Sequence, residues 1–204
     1  FELLIATPTS FPSAVALIWR WTGDNAFRDE LYDFSKRNLR YVVNRLDDDG
    51  DGWPEGSGNV ERGGMGVEKL DNSVYLIRGL YDLADMARSK HDGRTYAWAK
   101  NLARRLHRRF EDTWWRPAAP PAGPQHADSI DTPPLGGEND QQQDQHWIGV
   151  TPMEAELTLK GEAAPGLTTF DHGNQALALR ETDCYSGQPP FNIEKQELNM
   201  SKVW

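Results

Sequence analysis

The chain has 204 residues, and 31 acidic against 22 basic side chains leave a formal net charge of −9, which argues against a surface built to grip nucleic-acid phosphates. Hydrophobic residues make up 38% and charged residues 26%; no apolar run approaches the roughly 18 residues of a membrane span, so a soluble protein with no membrane partner is expected. The single cysteine, Cys184, excludes an internal disulfide framework and a cysteine-based zinc site, and it reads as a small buried hydrophobe.

The length fits one helical domain over 1–204, large enough to bury a core without staples. The opening FELLIATPTSFPS lacks the basic start and apolar centre of a secretory signal, so a cytoplasmic location is expected unless a leader has been removed. The first clear helical period runs through Phe27, Leu31, Phe34, Asn38 or Leu39, Val42 and Leu46, about five turns, with Asp24 placed to cap it. Residues 47–66 then hold seven glycines and a proline, which excludes regular structure and marks a functional loop.

A second helix is expected over 68–90, with Leu70, Val74, Ile77, Leu80 or Tyr81, Ala84 and Ala87 along one stripe. A third runs from about Thr95 to Thr113, with Trp98, Leu102, Leu106 and Phe110 four apart. Arg104, Arg105, Arg108 and Arg109 on its other side read as a solvated face. Residues 117–134 hold six of the thirteen prolines and lead into GGENDQQQDQ, so 115–145 reads as a connector without secondary structure. One or two helical turns within HWIGVTPMEAEL and a helix at 172–181 complete the series. No strand is expected, and helix pairs joined by loops give an all-α fold.

The chemistry concentrates in the loops. Asp47, Asp49 and Asp51 alternate ahead of Gly52 like the start of a calcium loop, because alternate carboxylates in a tight turn converge on one hard cation. Position twelve of such a loop, where a bidentate glutamate belongs, is Gly58, although Glu55 stands at position nine. The alternative is a helix-terminating turn whose aspartates bond backbone amides. Glu55, Glu61, Glu68 and Asp71 follow within seventeen residues, beside Trp53. Glycoside hydrolysis needs two carboxyl groups, one protonated and one ionised, and eight tryptophans offer flat faces on which sugars stack. Serine chemistry is less favoured: there is no G-x-S-x-G, and the histidines at 91, 107, 126, 146 and 172 stand in no triad context. His91 and His107 read as exposed helix positions, and His146 and His172 as pocket or structural residues.

The runs WRWTGD (19–24), DDDGDGWPEG (47–56) and EKLDNSVYLIRGLYDLADMA (68–87) resemble the six-hairpin, (α/α)6-barrel glycosidases, with the nearest echoes in glucoamylase-like and glycogen-debranching-like members. The resemblance covers roughly 15–113 and weakly 146–187. It implies an inverting glycoside hydrolase that needs no cofactor, with its acid in the loop around Glu55 to Glu68 and its base in a later hairpin. Glu61 is the favoured acid; Glu55, Glu68 and Asp71 are the partner candidates. Trp21, Trp53 and Trp147 are the expected sugar platforms, with Asp24, Arg62 and His146 beside them. Asp47, Asp49 and Asp51 remain the candidate Ca²⁺ ligands.

Twelve barrel helices with their connections need well over roughly 250 residues. An incomplete (α/α)6-barrel-type array is therefore expected, with an apolar seam that favours a homo-oligomer. A carbohydrate-binding remnant without a working acid–base pair is the alternative function.

Overall fold

A computed structural model describes residues 7–58, 66–116, 125–130 and 151–157. These are mostly helical, as the all-α reading expects: α1 (Thr7–Thr22), α2 (Asn25–Arg45), α3 (Leu70–Ser89), α4 (Gly93–Trp114) and a single turn, α5 (Thr151–Glu154). Asp24 caps α2 as its position suggested, its Oδ1 accepting from the Phe27 amide at 3.0 Å. Asp92 does the same for α4 through the Thr95 amide.

The helices form two hairpins. In the first, Gly23 takes a left-handed φ of +70° and donates its amide to Trp19 O, turning α1 into α2 within two residues. In the second, His91 adopts φ +58° between α3 and α4. α3 lies at the centre, packed against α1, α2 and α4. It is buried on nearly every side, with Leu76, Ile77, Leu80, Leu83 and Met86 inside and Asp71 and Asp82 buried as well. Leu39 and Val42 of α2 and Leu106 and Phe110 of α4 close over it.

α1 is a helix that the sequence period did not announce. Pro8, Pro12 and the threonines and serines around them are poor helix formers, and Pro12 sits inside the helix. Tertiary packing overrides that preference: Val15 and Ala16 are buried in the core, and Phe11 and Trp19 pack against it. Gly79 of α3 makes the close approach possible, since a Cβ there would stand 2.9 Å from the carbonyl oxygen of Thr9.

Strands are also present, against expectation. β1 (Glu68–Lys69) pairs antiparallel with β4 (Ser129–Ile130), and β2 (Trp115–Arg116) with β3 (Gln125–His126). Two residues are too few to display a period of two, so pattern reading passes over them. Part of the stretch 115–145 is therefore ordered into ladders, extended by Leu70 N donating to Asp128 O and Ala127 N to Trp114 O. His107 also departs from expectation: it is half-buried, donating through Nε2 to Leu157 O at 2.7 Å. Its Nδ1 then accepts from the Tyr81 hydroxyl at 3.2 Å. The helix expected at 172–181, His172 and Cys184 lie outside the described residues.

Candidate functional site

The acidic loop starts where α2 ends, with Leu46 N bonded to Val42 O. Its first turn is wound by its own aspartates. Asp47 Oδ1 accepts from Gly52 N at 3.1 Å, Asp49 Oδ1 from Asp51 N at 3.0 Å, and Asp51 Oδ1 from Trp53 N at 2.7 Å. The backbone can follow only because Gly50 and Gly52 take φ of +80° and +101°. The helix-terminating turn anticipated from the sequence is thus formed.

Glu55 folds back on this turn. Its amide donates to Leu46 O, and its Oε2 accepts from Asp48 N at 2.9 Å. Gly56 N donates to Val67 O, which sets Glu55 beside Glu68 in an antiparallel bridge. Glu68 in turn faces Ile130 across β1 and β4. As a result, carboxylate oxygens of Asp47, Asp49 and Asp51 lie within 4.8 Å of one another, and so do those of Asp49, Glu55 and Glu68. Asp49 belongs to both groups. Glu68 is fully buried, and Glu55 Oε1 is a buried oxygen with no hydrogen-bond partner among the described residues. Burial pushes the Asp51 carboxyl above the usual carboxylate range; the Trp53 amide opposes the shift, and the neighbouring charges of Asp49 and Asp47 add to it.

Asp71 lies fully buried in the first turn of α3. Gly58, at the position where a calcium loop would carry its glutamate, instead makes room for this carboxyl: a Cβ at Gly58 would stand 2.6 Å from Asp71 Oδ1. Asn72 ties the same stretch down, its Nδ2 donating to Ser57 O at 3.2 Å. Sequence reading passed over Asn72, which has no signature beyond being polar, and met Gly58 only as the place where a calcium loop would carry a glutamate.

Beneath the loop lies an aromatic floor. Trp53 is fully buried, edge-on to Trp114 with centroids 6.0 Å apart, and it fills the core rather than presenting a face to a sugar. His126, also buried, packs against Phe110 and Trp115 and donates through Nε2 to Glu111 Oε2 at 3.1 Å. Trp21 and Asp24 sit elsewhere. Trp21 stands in the last turn of α1 and Asp24 caps α2, and the acidic loop follows the other end of that 21-residue helix, about 30 Å away. Trp21 is 81% exposed there, while Asp24 serves as the cap. Asp47, Asp49, Asp51, Glu55 and Glu68 are therefore brought together with Asp71 nearby, and Trp21 and Asp24 are not. Glu61, Arg62, His146 and Trp147 lie outside the described residues.

No protein-family model matches the sequence, and no curated protein matches it. Among solved structures, the chain is similar to a GH78 family rhamnosidase of Bacillus sp. GL1, with a TM-score of 0.53 at 14% identity, over 81% of this chain and 19% of that one. The likeness is one of fold alone. The chain spans about a fifth of the length of that relative. No helix among the described residues is long and apolar enough to cross a membrane.

Proposed function

We propose that the chain is a helical-hairpin unit of a glycoside hydrolase of the (α/α)-barrel type, and that the loop from Asp47 through Asp71 is its site. The convergence of acidic side chains at the junction of two hairpins carries this reading, and the fold likeness to a glycoside hydrolase supports it. The substrate is an oligo- or polysaccharide, cleaved by a carboxylic acid acting with a carboxylate. Glu55 and Glu68 are too close together to be an inverting pair, which separates its two carboxyl groups by roughly 6.5–9.5 Å to admit a water. Their oxygens approach within 4.8 Å, and Glu68 is fully buried. Glu61 is the proposed acid, with Asp71 or Glu55 as its partner, and Asp49 and Glu68 shape the loop beside them.

Turnover of aryl α- and β-glycosides and short oligosaccharides by the purified chain tests this, with Glu61→Gln alongside. Turnover lost by about 100-fold or more in the variant supports the acid role. Unchanged turnover removes Glu61 from it. Sugar binding without turnover favours the binding remnant, and neither binding nor turnover overturns the carbohydrate reading.

A second reading concerns Ca²⁺. Asp47, Asp49 and Asp51, with Glu55 at the ninth position, form an oxygen-only donor set of the kind calcium prefers. A bound Ca²⁺ would neutralise the repulsion among these carboxylates and hold the turn. Millimolar Ca²⁺ should then raise Tm by a few degrees, and a chelator should reverse the rise. A melting curve indifferent to both overturns this reading.

A further inference from the structure

We propose that Arg109 is the positioning residue of the acidic loop, a countercharge carried by α4 that fixes the turn on which Asp47, Asp49 and Asp51 converge. The proposal rests on the reading of that loop as the functional site. Arg109 is 58 residues from Asp51, yet its Nη1 donates to the Asp51 carbonyl oxygen at 2.7 Å. The guanidinium carbon stands 5.6 Å from the centre of the Trp53 ring. Between these two residues, Gly52 has no side chain to hold α4 off: a Cβ there would meet Leu106 Cδ2 at 2.9 Å and Arg109 Nη1 at 3.5 Å. Three consecutive loop residues thus each meet one turn of α4.

Arg109 is separated in this respect from the basic residues that share its helix. Arg104 and Arg108 act on the Tyr81 hydroxyl instead. Arg109 turns to the loop, where its Nη1 meets the Asp51 carbonyl oxygen. A guanidinium suits the place because its planar fork can donate to a carbonyl and lie over an indole at once, whereas an ammonium manages the donation without the stacking. The loop's geometry is therefore held by a contact between the two hairpins as well as by its own aspartates.

The test compares Arg109→Met, Arg109→Lys and the unaltered chain by amide hydrogen exchange. In Arg109→Met, exchange at Gly52 and Trp53 should quicken roughly tenfold or more, as expected for losing a charge-assisted bond. The Phe27 and Thr95 amides, bonded to caps at the opposite end, should keep their rates. Arg109→Lys should recover part of the protection, because the ammonium can still donate to the Asp51 carbonyl oxygen. Unchanged exchange at Gly52 and Trp53 overturns the proposal, and so does an acceleration equal at Phe27 and Thr95. The glycoside and Ca²⁺ experiments leave Arg109 in place, so their failure and the failure of this comparison are separately visible.

Discussion

Asp92 accepts from the Thr95 amide at 3.0 Å, from the Thr95 hydroxyl at 2.7 Å and from the Tyr32 hydroxyl at 2.9 Å. These bonds, the Thr95 amide foremost, hold its carboxyl at about 2. In an unfolded chain the group titrates near 3.9. The folded value is the lower one, so the stabilisation is complete above about pH 4 and is lost as pH falls through about 2. Asp92→Ala should cost about 1–2 kcal/mol in urea unfolding at pH 7, and the gap from the unaltered chain should narrow below about pH 2. An equal gap at both pH values would show that the charge is not its source. At this same scale the acidic site was half legible. Asp47, Asp49 and Asp51 announce themselves by alternation ahead of a glycine, because a turn imposes that spacing. Arg109 does not, because its partner is 58 residues away and its neighbours in sequence are also arginines.

Gly79 shows how helix packing reverses a local preference. Replacing a glycine inside a helix by alanine ordinarily gains about 0.5–1 kcal/mol. Here the added Cβ would stand 2.9 Å from the Thr9 carbonyl oxygen, a backbone atom, and 3.3 Å from Leu39 Cδ2. Gly79→Ala should therefore lower stability by about 1–3 kcal/mol, read as a fall in the denaturation midpoint; a rise would mean that α1 moves away from α3 without loss. The same contact explains what the sequence withheld about the elements. α2, α3 and α4 were legible because their apolar residues recur every three or four positions against one core. α1 was not, because prolines, serines and threonines obscure its period and its helicity depends on Gly79 admitting it. The two-residue strands left no pattern at all, being set by where the chain returns to Glu68 and Trp115.

Taken as a whole, the molecule has an acidic end and an apolar flank. Leu17 and Ile18 on α1 are nearly half exposed, and Trp21 one turn further is 81% exposed. We propose this flank as the surface through which copies of the chain associate. Sedimentation velocity should show association that grows with concentration and weakens in a Leu17→Ser, Trp21→Ser chain; a monomer at every concentration removes the homodimer from consideration. The pairing of Glu68 with both Glu55 and Ile130 bears on something else, the order in which the chain folds. Each helical hairpin closes through a turn of two or three residues and can form early, whereas the β1–β4 ladder must gather segments some sixty positions apart. The β1–β4 ladder is therefore expected to form after the hairpins and to open before them, while the turn of Asp47, Asp49 and Asp51 can wind by itself.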